Sequence, residues 1–140
     1  MHNIKKYNEA LITLNNAIEI FPDSMNLICY RGTEKIFLGD LKGAMIDIDK
    51  SIESHQMDSS DMSAAYRYKG YILREMNKLE EAVASLTLAI NYDDTNELLF
   101  ATRADLYRRL GLKDNACKDY RKAADLGMVT IYEEIKKYCI

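Results

Sequence analysis

At 140 residues, 48% hydrophobic and 29% charged, the chain has the size and composition of one ordinary globular domain, which argues against a multi-domain enzyme, a disordered tail and a membrane-embedded bundle. Six Gly and one Pro are few for a fold of many short strands, so sandwiches and barrels are disfavoured and an all-helical chain is expected. A formal charge of −3 and a pI of about 5.4 leave no basic surplus to hold a polyphosphate backbone, which sets nucleic acid aside as a partner.

The organising feature is a repeat. Ala10, Ala44, Ala82 and Ala116 are separated by 34, 38 and 34 residues. Seven residues after each stands another small side chain (Ala17, Ser51, Ala89, Ala123), and four after each a larger apolar one (Leu14, Ile48, Leu86, Tyr120). Twelve before the last three alanines come Gly32, Gly70 and Ala104, preceded at four residues by Ile28, Tyr66 and Phe100. The unit is 34 residues, and the longer spacing carries a four-residue insertion, Ser59-Ser60-Asp61-Met62.

Taken in chain order, residues 1–24 supply only the second helix of a unit, whose first helix is missing. Full units follow at 25–58, 63–96 and 97–130, and a capping helix at 131–140. Within each unit the apolar residues fall at helical spacing in two runs, such as Tyr66, Leu73 and Met76, then Val83, Leu86 and Ile90, which predicts two amphipathic helices. Gly70 and Ala82 let the paired axes approach closely, and Ala89 lets the next unit settle on the pair. Tyr7 and Leu79 are placed at the turn ends of the hairpins. Gly127 suits a helix C′ position, and Thr130 with Glu133 predicts a capping box opening the last helix. That helix shows Ile131, Tyr132, Ile135, Tyr138 and Cys139 to the array, and Glu133, Glu134, Lys136 and Lys137 to water.

From residue 7 to about 126 this order of large and small residues resembles the tetratricopeptide-repeat (TPR) family, and the closing segment is similar to the terminal cap of certain bacterial members. The resemblance implies an all-α, right-handed superhelical solenoid of antiparallel helix pairs, about eight helices in one domain. The family's Leu before the Gly is basic here (Arg31, Lys69, Arg103), and its closing Pro survives only as Pro22, with Gln56 and Asp94 at the other places. Sixteen residues after the three basic side chains stand Asp47, Ser85 and Asp119, which predicts the pairs Arg31–Asp47 and Arg103–Asp119.

No catalytic constellation emerges: GxGxxG, GxxxxGK[ST], HExxH and GxSxG are absent, and no cofactor or metal is expected. His2 and His55 read as solvated side chains, and Asp47 with Asp49, or Asp93 with Asp94, are too close in sequence to converge on one helical face. A disulfide between Cys117 and Cys139 is conceivable in an oxidising compartment, but reduced thiols packed as small hydrophobes are the favoured reading, and Cys29 has no partner. The polar start Met1 to Lys6 precedes no apolar run, so the chain as written is expected to be cytoplasmic, or periplasmic if it is a fragment lacking a signal peptide.

Function is expected on the concave surface. The resemblance places the groove lining at Asn26, Cys29, Thr33, Ile36 and Phe37, then Ala64, Arg67, Tyr71, Arg74 and Glu75, then Leu98, Ala101, Asp105, Arg108 and Arg109. Phe37, Arg67, Tyr71, Arg74, Asp105, Arg108 and Arg109 are the candidate contacts, with Arg108 expected beside Arg74. They imply a non-catalytic protein–protein interaction scaffold that takes an acidic peptide or partner protein, with no nucleic acid and no membrane insertion. The carboxylate clamp of chaperone co-factors in the family is not matched, because its places read Cys29 and Thr33, Tyr68, and Leu98 and Thr102. The alternative is a self-associating module or a piece of a longer array. It would be completed, as a homodimer for instance, through residues 1–24, where Ile4, Leu11, Leu14 and Ile18 lack their usual cover.

Overall fold

The computed structural model of the chain describes residues 3–140, so His2 lies outside it. Its helices are α1 (Ile4–Ile20), α2 (Met25–Phe37), α3 (Leu41–Glu53), α4 (Ser59–Glu75), α5 (Leu79–Tyr92), α6 (Glu97–Arg109), α7 (Lys113–Asp125) and α8 (Tyr132–Tyr138), with a 3₁₀ turn at Val129–Ile131 before the last. No strand occurs among the described residues. Helices α2 and α3, α4 and α5, and α6 and α7 pair as hairpins, each hairpin stacks on the one before, and α1 packs on α2. The expected helical solenoid is therefore what forms. No helix is long and apolar enough to cross a membrane among the described residues.

The in-phase small residues sit where helices touch. A Cβ added to Gly32 would lie 3.0 Å from Ile48 Cγ1 and 3.2 Å from the Ala44 carbonyl oxygen, so only glycine lets α2 lie this close to α3. Ala44, Ala82 and Ala116 are completely buried, as are Ile48 and Leu86. In α1 the equivalent Ala10 and Leu14 stay half-buried, and none of the helix's residues is fully covered. The difference is one of neighbours: among the described residues no helix packs on α1 in the way that α2 packs on α3.

Each hairpin turn ends its first helix in the same way. Gly39, at φ +84°, donates its N–H to the Ile36 carbonyl, and Asp40 donates to Lys35. Gly111 repeats the turn after α6, and Gly127 forms it after α7, at the C′ position expected. After α4 the left-handed residue is Asn77, at φ +59°. Asn77→Gly removes that side-chain cost and is expected to stabilise the fold by about 0.5 kcal/mol, read as a higher denaturant midpoint with an unchanged slope.

The four inserted residues do not loop out. They form the first turn of α4, which has 17 residues where α2 and α6 have 13. The Asp58 carboxylate caps this turn by accepting the Asp61 N–H, and Met62 drops into the core beside Cys29 and Ile36. The chain end departs from expectation in two ways. Thr130 makes no capping box, because it lies inside the 3₁₀ turn and α8 starts at Tyr132 without a side-chain cap. The N–H of Ile131 is instead satisfied by the Met128 carbonyl. Cys117 and Cys139 are bonded, not reduced: Tyr138 packs edge-on against Tyr120, which brings the end of α8 to α7 with the two Cα atoms 5.6 Å apart.

Both expected ion pairs are present and bidentate. Arg31 Nε and Nη2 each donate to Asp47 at 2.8 Å, and Arg103 Nε and Nη2 donate to Asp119 at 2.7 and 2.8 Å. Each arginine also reaches the preceding unit's second helix, Arg31 to Asn15 Oδ1 and Arg103 to Thr87 Oγ1. One guanidinium thus joins three helices. Lys69 finds no acid in its own unit and pairs at 2.8 Å with Asp49 of the unit before.

Candidate functional site

Helices α2, α4 and α6 are the first helices of their pairs, and a cleft of about 240 Å³ lies between their facing residues. Four of the seven candidate contacts meet there: Phe37 from α2, and Arg67, Tyr71 and Arg74 from α4, with Leu98 and Thr102 contributed by α6. The spacing of 67, 71 and 74 keeps all three α4 side chains on one stripe. The Arg74 guanidinium lies 4.8 Å from the centre of the Tyr71 ring, and Arg67 lies 4.7 Å from that of Tyr68 while donating to its hydroxyl. Arg67 makes no ion pair among the described residues, and Arg74 has only a long contact, 3.5 Å, to half-exposed Glu75. Phe37 is held flat against Tyr7 of α1, ring centres 4.9 Å apart, so this ring forms one wall.

The other three candidates do not line this cleft. Arg108 donates to Glu134 at 2.9 Å and lies 4.3 Å from the Tyr138 ring centre, which turns it toward α8 and not toward Arg74. Asp105 accepts the Tyr120 hydroxyl. Burial, followed by that carboxylate, pushes the Tyr120 phenol up to about 12, so it stays a donor. Arg109 is exposed, outside the cleft.

A second cleft, of about 180 Å³, opens at the amino-terminal ends of α2 and α4 and shares Thr33 and Tyr68 with the first. Glu34, Met57 and Asp61 line it. Position-by-position transfer from the repeat missed them: Glu34 falls outside the five usual positions, and Met57 and Asp61 precede the unit that starts at residue 63. Reading the insertion as an added helical turn would have found Asp61. Cys29 borders this cleft but is buried, and desolvation, then Asp61 and Asp47, push its thiol up to about 11. It is no nucleophile near neutral pH. No group of three acidic, His or Cys side chains is arranged to hold a metal among the described residues.

A family model described as Tetratricopeptide repeat matches residues 68–96 and 99–126. Among curated proteins, the Protein STIP1 homolog of Dictyostelium discoideum is 30% identical over 113 residues, which is 80% of this chain and 19% of that protein. The chain thus spans about a fifth of that relative's length. Among solved structures, MamA superposes with a TM-score of 0.79 at 17% identity, covering 96% of this chain and 81% of that one. YrrB, described as a TPR protein with an unusual peptide-binding site, gives 0.77 at 19% identity, covering 95% and 67%. A tetratricopeptide repeat protein from Parabacteroides merdae gives 0.74 at 18%, covering 86% and 47%. The family model places the repeats at 68–96 and 99–126 in the tetratricopeptide-repeat family, and the 34-residue period and stacked hairpins carry that family's fold through the rest of the described chain.

Proposed function

We propose that this interaction scaffold is non-catalytic and takes an acidic peptide segment in the cleft between α2, α4 and α6. The observation that carries this reading is the pair Arg67 and Arg74, each guanidinium stacked on a tyrosine and neither engaged by a close carboxylate. A planar fork held on an aromatic ring loses little freedom when a carboxylate arrives, and Ile36, Phe37 and Leu98 offer apolar surface for the rest of the ligand. On an array of acidic ten-residue peptides, Arg67→Ala with Arg74→Ala is expected to weaken binding at least tenfold. Arg108→Ala, whose partners belong to the cap, is expected to leave binding unchanged while loosening α8. Equal binding by the wild-type and Arg67/Arg74 proteins would remove the assignment.

A second reading rests on α1. Its half-covered Ala10, Leu14 and Ala17 form a surface whose equivalents, such as Ala44, Ile48 and Ser51, are buried in every other unit. A second copy of the chain is one occupant of suitable chemistry. A single monomeric species in sedimentation equilibrium at high protein concentration would argue against that assembly.

A further inference from the structure

We infer that the two clefts act as one dipolar groove, whose ligand carries a basic residue and an acidic residue a few positions apart along an extended segment. The inference deepens the groove reading above and rests on it. Thr33 and Tyr68 belong to both clefts, so the channel is continuous from the amino-terminal ends of α2 and α4 to their carboxy-terminal ends. Its two halves are opposite in charge. Glu34 and Asp61 line the first half, both partly buried, and neither carboxylate has an ion-pair or hydrogen-bond partner among the described residues. Arg67 and Arg74 line the second. The remaining cations nearby are engaged elsewhere: Arg31 and Lys35 bind Asp47, and Lys69 binds Asp49. Apart from the 3.5 Å contact of Arg74 with half-exposed Glu75, no ion pair among the described residues engages either end of the channel.

A purely acidic peptide would satisfy the arginines but lay its remaining charges against Glu34 and Asp61, where partial desolvation strengthens repulsion. A purely basic one meets the reverse problem. Along α4, Arg67 and Arg74 lie six and thirteen residues beyond Asp61, which is roughly 9 and 20 Å at a helical rise of 1.5 Å per residue. An extended ligand advancing about 3.3 Å per residue places its opposite charges some three to six residues apart. Tyr68, between the two halves, supplies a ring for an apolar side chain between those charges.

The test uses synthetic ten-residue peptides on a common Ala/Leu background, with Lys and Glu four residues apart, two Glu, or two Lys at the same places. Binding is followed by fluorescence anisotropy on the full chain. The mixed peptide is expected to bind at least tenfold more tightly than either like-charged one. Glu34→Lys with Asp61→Lys is expected to invert the ranking in favour of two Glu, and the milder Glu34→Gln with Asp61→Asn to equalise the mixed and doubly acidic peptides. If the doubly acidic peptide binds as well as the mixed one to wild type, and the acid variants change nothing, the dipolar inference is overturned while the groove survives. If no peptide binds, or Arg67→Ala with Arg74→Ala alters none of the affinities, the groove reading itself fails and this inference with it.

Discussion

Asp47→Ala is expected to cost about 3 kcal/mol of stability, near the lower end of what breaking a buried charge network costs. Asp47 is 3% exposed, and its two oxygens accept Arg31 Nε and Nη2 at 2.8 Å and Lys35 Nζ at 2.9 Å. Removing the carboxylate strands two cations on α2 that are each about three-quarters covered, and frees the arginine that also reaches Asn15 on α1. The damage therefore spreads over three helices. Asp47→Asn is expected to fall between, because the amide keeps the shape and loses the charge. Arg31→Met with Asp47→Leu is expected to recover only part of the loss, since the apolar pair removes the arginine's unpaired charge but leaves Lys35 Nζ without its carboxylate. The pH dependence has a definite sign. Burial alone would raise the Asp47 carboxyl, but the hydrogen bonds from Arg31 and Lys35 outweigh it and hold the group below its ordinary value of 3.8. Its contribution is present above the unfolded value and lost as pH falls through the lower folded one, so wild type and Asp47→Ala should converge in stability only below about pH 4. Chemical denaturation at pH 7 and pH 3 reads both effects. A difference under about 0.5 kcal/mol at pH 7 would show that the pair is a surface contact of no consequence.

The repeat made the hairpins legible because small residues at fixed phase have one physical use, close helix contact, and Gly32 and Gly70 are found making it. The arginine–aspartate pairs were legible for a related reason: a sixteen-residue offset recurs wherever the hairpin does. The groove was legible only halfway. Arg67, Tyr71 and Arg74 share one helix, where spacing alone settles the face. Arg108 and Asp105 occupy equivalent positions on α6, but beyond it the array gives way to a cap. Glu134 and Tyr138 of the cap, and the hydroxyl of Tyr120, take the side chains that a further repeat would have left facing the groove. The Arg108 pairings span 26 and 30 residues and depend on the identity of the capping element, and the Asp105–Tyr120 bond depends on a tyrosine hydroxyl that the equivalent Ile48 and Leu86 lack, so periodicity cannot foretell them. Thr130 failed for a more local reason, since a short 3₁₀ turn offered its neighbours' N–H groups backbone carbonyls before a side-chain cap was needed. The Cys117–Cys139 bond was undecidable from counts, because an odd number of widely spaced cysteines leaves the pairing to geometry.

Opening that bond, by reduction or by Cys139→Ser, is expected to release α8 while the hairpins before it stay folded. The two cysteines are 22 residues apart, and closing a loop of that length restricts the unfolded chain by about 3 kcal/mol on the entropic account. Few other contacts hold the cap. None of the residues of α8 is fully buried, and besides the half-buried Ile135 its attachments are the edge-on Tyr138–Tyr120 pair, Arg108 and Lys113 beside the Tyr138 ring, the Arg108–Glu134 bridge at the surface and a long bond from Arg121 to the Cys139 carbonyl. An exposed bridge of that kind contributes little. The helix has seven residues, too few to persist by itself in water. Amide hydrogen exchange should therefore show protection over Tyr132–Tyr138 falling about a hundredfold in Cys139→Ser, the factor equivalent to about 3 kcal/mol, with α4 and α5 unchanged. Cys29 will not confuse the experiment by disulfide exchange, because it is buried and its thiol is pushed up to about 11, leaving almost no thiolate to attack. Loss of the cap would bare the Ala104, Ala116 and Tyr120 cluster on which Ile131, Ile135 and Tyr138 rest. The variant should accordingly bind a hydrophobic dye that the oxidised protein excludes. Unchanged exchange over α8 would mean that the tyrosine and arginine contacts suffice to hold the cap.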